Sequence, residues 1–213
     1  METDGWRFVG PMAGLMIICL GLWWRTGSKI LLTAGVVCGI VAVFMAYFFR
    51  DPDRQPPAGH GWVVSPADGK VLSIEDEPDG RRRIAIFLSV FDVHVNRAPI
   101  TGTVASVDYR PGKFFKAFDP RASKENEQAV IVINSAHGPI EFSLIAGVLA
   151  RRVVCRIESG QEVQIGQRVG LIRFGSRAEI VLPPEAKILV QPGDRVKGCL
   201  TPVARFEQRD ADA

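Results

Sequence analysis

Three short stretches of this sequence bring together residue types that can do chemistry. The first is the Gly175–Ser176 pair in VGLIRFGSRAEIVLP, set between two apolar runs near the C-terminus, with Arg173 and Arg177 alongside. A serine hydroxyl can attack the carbonyl of the residue before it and turn that amide into an ester. Glycine suits the preceding position, because it accepts unusual dihedrals and leaves its carbonyl unshielded. Elimination from the ester leaves a dehydroalanine, which hydrolyses to a pyruvoyl group. That ketone is an electrophile no ordinary side chain supplies. Taken alone, Gly-Ser is an ordinary turn dipeptide.

The second stretch is SPADG, Ser65 to Gly69, a turn with Asp68 at its tip. Such an aspartate commonly bonds nearby backbone N–H groups, and alone it says no more than that. The third is FDVHVNRAP, Phe91 to Pro99. By strict alternation, Asp92, His94 and Asn96 point to one side of a strand, and Val93, Val95 and Arg97 to the other. A polar row after the apolar IAIFLSV reads either as an exposed strand face or as the wall of an active site. In the second case His94 is placed to move a proton.

These residues need elements to position them. From Trp6 to Trp24 and from Ile30 to Phe49 the chain is almost wholly apolar, and only RTGSK separates the two runs. Each is close to the roughly 20 residues that cross a bilayer core as a helix. Residues 1–50 therefore read as a membrane-anchoring helical hairpin, either two spans or, because Pro11 and several glycines interrupt the first run, a re-entrant insertion. A cleaved signal peptide would have one shorter apolar core. The basic residues on the two sides are nearly balanced, so the positive-inside rule does not orient the hairpin. Residues 51–61 form a Pro/Gly-rich linker.

From residue 62 to 213 short Val- and Ile-rich runs alternate with turn signals, the pattern of a β-rich domain. ESGQEVQIGQRVG and ILVQPGDRVKG each pair an apolar strand with a glycine turn. The expected fold is mainly β, a barrel-sandwich-hybrid-like catalytic domain behind the hairpin. FFKAFDPRASKENEQ stands out as a polar excursion and reads as a mobile loop.

Together these segments resemble the phosphatidylserine decarboxylase family over essentially the whole chain. The likeness rests on SPADG, FDVHVNRAPITGTV with the following YRPGKF, the pair Asn126–Glu127, GPIEFSLIAGVLARRVV, and the GxxVGxxRFGS approach to Ser176. The length, with its two-helix anchor, is similar to the compact bacterial and archaeal form. The resemblance implies a proenzyme that cuts itself between Gly175 and Ser176 into chains 1–175 and 176–213. Its covalent cofactor would be a pyruvoyl group, that is pyruvate derived from Ser176. It also implies a phospholipid substrate, the decarboxylation of phosphatidylserine to phosphatidylethanolamine, and an inner-membrane location with the catalytic domain in the cytoplasm. Asp68 matches the aspartate that assists self-processing, and His94 the histidine that handles the proton in decarboxylation. Longer bacterial members carry a second histidine three residues further on, as part of an Asp-His-Ser processing triad. Arg97 stands there in this chain, and arginine stays protonated. The FGS of this chain also replaces the LGS of many relatives.

Other function classes fit less well. A formal net charge of +3 on 213 residues gives no dense basic face for nucleic acid. The four cysteines and three histidines have no metal-ligand spacing. A membrane-anchored barrel-sandwich adaptor or carrier module is the alternative. It explains the hairpin and PGDRVKG but not SPADG, FDVH and RFGS occurring together, and a carrier would present a lysine at a hairpin tip. Arg81, Arg82 and Arg83 offer cations for a lipid phosphate. A homodimer is compatible with all of this.

Overall fold

The computed structural model describes residues 5–148, 152–172 and 176–207. The chain forms two compact units, Met1–Pro52 and Asp53–Ala213.

The first unit is two helices, α1 (Trp6–Thr26) and α2 (Lys29–Phe48). Both are long and apolar enough to cross a membrane. Large apolar side chains on both are exposed, among them Ile17, Ile40 and Val43. A soluble bundle would bury such residues, whereas lipid-facing helices expose them. α1 runs unbroken through Pro11, whose missing N–H removes one bond near the start of the helix. Gly27, at φ 66°, closes α1 by donating its N–H to the Trp23 carbonyl at 2.8 Å. The helices pack through Gly35 and Gly39. A Cβ there would meet Leu20 Cδ2 at 2.8 Å and Met16 Sδ at 3.0 Å. Small residues four apart let helix backbones approach closely.

The second unit is mainly β, around a curled eight-stranded sheet. Its strands are, in chain order, β1 (Trp62–Val64), β2 (Gly69–Asp76), β3 (Arg82–Leu88), β4 (Val95–Arg97), β5 (Gly102–Arg110), β6 (Gln128–Ser135), β7 (Gly138–Ile145), β8 (Val153–Cys155), β9 (Glu162–Val163), β10 (Arg168–Ile172), β11 (Ser176–Leu182), β12 (Lys187–Ile188), β13 (Arg195–Val196) and β14 (Pro202–Arg205). The large sheet has the order β13-β2-β3-β11-β7-β6-β5-β9, and its pairs are antiparallel. Two three-stranded sheets, β1-β14-β12 and β4-β10-β8, complete the unit. Ile84, Ile86, Ile131, Ile133, Phe142, Leu144 and Ile180 meet in one core. β11 lies between β3 and β7 and is buried along its whole length, which its apolar AEIVL run makes affordable.

Two readings of the sequence are corrected here. FDVHVNRAP is not one exposed, alternating strand. Only Val95–Arg97 is strand, and Val93 through Ile100 are all buried. Alternation fails at Asp92, which closes a turn by accepting from the Ser89 N–H at 2.8 Å and the Ser89 hydroxyl at 2.7 Å. The stretch FFKAFDPRASKENEQ is tied down rather than loose. It contains a helical turn, α3 (Ala122–Glu125). Asn126 accepts from Phe115 N–H at 2.8 Å and donates to the carbonyls of Phe115 and Ala146 at 2.9 and 2.7 Å.

Candidate active site

Ser176 opens β11. Its register partner across β3 is Leu88, the last residue of that strand. Side chains alternate along β11. Ala178, Ile180 and Leu182 share the face of Ser176 and join the apolar clusters. Arg177 and Glu179 share the other face. Ser176 is therefore fully buried, and its hydroxyl has no hydrogen-bond partner among the described residues. Buried polar atoms without partners are rare and call for an explanation. Gly175 and Arg173 lie outside the described residues.

The chain crosses between the two sheets twice at this point. It leaves β3 at Leu88 and reaches β4 at Val95, and it leaves β10 at Ile172 and reaches β11 at Ser176. β4 and β10 pair with each other, Leu171 opposite Val95, as β3 and β11 do. The Ile172 N–H donates to the His94 carbonyl at 3.3 Å. The backbone at His94 is thus bonded four residues ahead of Ser176, on the crossing that runs beside it.

His94 is fully buried, and its Nδ1 lies 2.9 Å from the Asp92 carbonyl. A carbonyl only accepts, so Nδ1 carries the proton, and in the neutral ring Nε2 carries the lone pair. Asn96 donates to the His94 carbonyl at 2.9 Å. The Asn96 Oδ1, also buried, has no partner among the described residues. Asp92 belongs to the turn below this group. Its second oxygen accepts from Arg195 at 3.1 Å.

The SPADG turn packs on the Ser176 end of the sheet, where Ala67, Leu88 and Ala178 form a small apolar cluster. The Ser65 hydroxyl donates to the Ala67 carbonyl at 2.6 Å. The Arg97 N–H donates to Pro66 at 2.8 Å, and the Cys199 N–H to Ser65 at 3.0 Å. At the tip, Asp68 is buried and held by both oxygens. Arg54 donates from Nη2 to Oδ2 at 2.8 Å and from Nη1 to Oδ1, and Gly198 N–H donates to Oδ1 at 2.8 Å. Arg54 also donates to the Gly198 carbonyl at 2.8 Å. The structure thus sets the SPADG turn against the strand neighbours of Ser176 but aims the Asp68 carboxylate at Arg54. Arg97, in place of a second histidine, donates from its buried guanidinium to the Gly166 carbonyl at 3.0 Å. Burial pushes the Cys199 thiol up, against the opposing pull of Arg97 and Arg54.

The other face of β11 holds an ion network. Arg177 pairs with Glu179 at 2.5 Å, Ser123 donates to Glu179 at 2.7 Å, and Arg83 pairs with both Glu179 and Glu77. Burial works to lower the Arg83 pKa, but hydrogen bonds and charge from Glu77 and Glu179 outweigh it and raise it. Arg82 is the register partner of Leu182, at the far end of β11 from Ser176. Arg81, Arg82 and Arg83 are engaged there with Asp79, Ala186 and Glu77. They stand at the end of β11 away from Ser176.

Arg54 had no signal of its own in the sequence. It sits in DPDRQPP, outside any periodic element, and its partner is fourteen residues away. The pair Asn126–Glu127 proves to be a brace, with Glu127 accepting from Val153 N–H at 3.1 Å. Among the described residues no group of three or more His, Cys, Asp or Glu side chains could hold a metal.

A profile of the phosphatidylserine decarboxylase family matches residues 41–204. The chain is 40% identical over 215 residues to the phosphatidylserine decarboxylase proenzyme of Symbiobacterium thermophilum, covering 98% of this chain and 96% of that one. It is 47% identical over 166 residues to the proenzyme of Solibacter usitatus, covering 78% and 80%. With the proenzyme of Pelodictyon phaeoclathratiforme the figures are 42% over 173 residues, 79% and 82%.

Proposed function

This chain belongs to the phosphatidylserine decarboxylase family, and from that membership we propose that it converts phosphatidylserine to phosphatidylethanolamine with a pyruvoyl group made from its own Ser176. The observation that carries this reading is the buried Ser176 hydroxyl without a partner among the described residues. A serine kept for structure would spend that hydroxyl on a hydrogen bond, because leaving it unmade costs about 1–3 kcal/mol.

In self-processing, the Ser176 Oγ attacks the Gly175 carbonyl. The C–N bond breaks, nitrogen takes the hydroxyl proton, and an ester links the two residues. Loss of the Ser176 α-proton expels the Gly175 carboxylate and leaves dehydroalanine at the head of chain 176–213. Water then displaces ammonia from the enamine's imine tautomer and leaves a ketone. This ketone fits the site, since it would replace a hydroxyl whose hydrogen-bonding capacity is unused. When present, the pyruvoyl group supplies a carbonyl that takes up the substrate amine and accepts the electron pair released as carbon dioxide leaves.

The protein's own groups do the rest. Asp68 assists processing by position. With Arg54 and Gly198 it stiffens the turn that presses Ala67 on the neighbours of Ser176. His94, with Nδ1 fixed by the Asp92 carbonyl, presents Nε2 as the atom that takes up a proton and then delivers it to the carbon that lost its carboxylate. Arg97 is fixed on Gly166 and takes no part as a base. The hairpin keeps the enzyme at the cytoplasmic face of the inner membrane, where its substrate lies.

Ser176→Ala tests the reading. The variant loses one oxygen from a packed position and is expected to fold, to stay a single chain, and to release no carbon dioxide from phosphatidylserine. Decarboxylation by the alanine variant at the wild-type rate would refute it.

A further inference from the structure

Exposed apolar side chains cluster on one end of the catalytic unit. Among its described residues six large apolar side chains are exposed, and five stand on or beside connections at the end of the eight-stranded sheet where β11 begins at Ser176. Phe91 lies in the turn after β3, Tyr109 one pair before the end of β5, and Phe118 in the segment entering β6. Val148 lies just past β7, and Leu200 in the turn after β13. The sixth, Leu189, follows β12 of a small sheet. The opposite end of the large sheet, formed by the β2–β3, β6–β7 and β11–β12 connections, carries Glu77, Asp79, Arg81, His137 and Glu185 and exposes no large apolar side chain among the described residues. Single exposed apolar residues need no explanation, but five gathered on one of two ends do.

The apolar tips alternate with exposed lysines. Lys116 lies over the Phe118 ring at 5.8 Å, Lys197 shares the turn of Leu200, and Lys70 is exposed at the start of β2. The acids of these connections are already neutralised. Asp92 pairs with Arg195, Asp108 with Arg110, Asp119 with Arg121 and Glu125 with Lys113. Arg121 holds the Asp119 carboxyl down at about 2, so it stays charged and paired.

We propose that this rim is a docking surface for a phospholipid bilayer, with the aromatic and aliphatic tips in the interfacial layer and the lysines against anionic phosphates. Charge complementarity argues for lipid over a protein partner. So does the chain itself, which enters this unit five residues after the end of α2, a helix apolar enough to cross a membrane. The inference deepens the proposed reaction and rests on its substrate being a membrane lipid. A head group would reach Ser176 from the bilayer surface without its acyl tails entering water.

The test uses full-length protein carrying Ser176→Ala, so that neither self-cleavage nor turnover enters the result. A benzophenone amino acid replaces Phe118 or Leu200 on the rim, or Ala136 or Glu185 at the opposite end. All four are surface positions, and a thermal melt confirms folding. The protein is reconstituted into vesicles of equimolar phosphatidylcholine and phosphatidylglycerol and irradiated. Lipid adducts are expected several-fold more often from positions 118 and 200 than from 136 and 185, and less often in phosphatidylcholine alone. Equal labelling at both ends, no lipid adduct at the rim, or crosslinks to a second copy in place of lipid would overturn the proposal. If rim adducts form while the wild-type protein releases no carbon dioxide, the docking surface stands and the reading of the reaction falls.

Discussion

Replacing Arg54 by alanine leaves the Asp68 carboxylate buried with one backbone N–H and no cation. Breaking a buried ion pair from one side costs about 3 kcal/mol or more, because the remaining charge is uncompensated. Arg54→Ala is therefore expected to lower the unfolding free energy of the catalytic unit by about that amount and to slow self-cleavage. Added guanidinium ion should restore part of the cleavage rate. Denaturant unfolding of the uncleaved Ser176→Ala background and gel-based cleavage kinetics measure the two effects. An Arg54→Ala protein as stable and as fast as wild type would show that the pair does not hold the turn. This contact was hidden in the sequence, because ion pairs across a linker follow no period. Ser176, His94 and Asp68 stood out as candidates because each stands in a motif whose neighbours constrain the backbone. The role expected for Asp68 changes with its geometry, since a carboxylate bound on both oxygens positions a turn better than it removes a proton.

At the scale of elements, Gly69 decides whether the SPADG turn can reach β3. A Cβ on Gly69 would lie 2.1 Å from the Phe87 carbonyl oxygen, a backbone atom of β3, which is held between β2 and β11. Gly69→Ala should destabilise the catalytic unit by at least ~2 kcal/mol and impair processing, read as a lower denaturant midpoint and slower cleavage. An unchanged midpoint would mean that the turn is free to shift. The strands themselves were readable from short Val- and Ile-rich runs between turn residues, and β11 from its apolar run after Gly-Ser. Alternation misled at Asp92, because the polar residue there closes a turn through Ser89, and side-chain period alone does not separate turn from strand. The segment 114–128 looked loose for a related reason. Its anchors are Ala122 and the polar run Asn126–Gln128, buried residues that carry no apolar signal of a strand or helix. Pro11 suggested a break in α1, yet one missing N–H near a helix start leaves the remaining bonds of the first turns intact.

At the scale of the whole molecule, the two units divide the labour. The hairpin is apolar outward, and among the described residues of the catalytic unit five of the six exposed large apolar side chains stand at the Ser176 end of the large sheet. The hairpin was plain in the sequence because lipid demands long uninterrupted apolar runs. The rim was not, because its residues come from four separate strand links and share one end only through the antiparallel order of the sheet. The central claim is that this fold exists to cut itself at one bond and keep both pieces. The intact mass of the purified full-length protein tests that most directly. The account predicts two chains divided between Gly175 and Ser176, the smaller lighter by one ammonia than a serine-headed peptide and blocked to Edman degradation. A single uncleaved chain after prolonged incubation in lipid, or a small chain with a free serine amine, would contradict it.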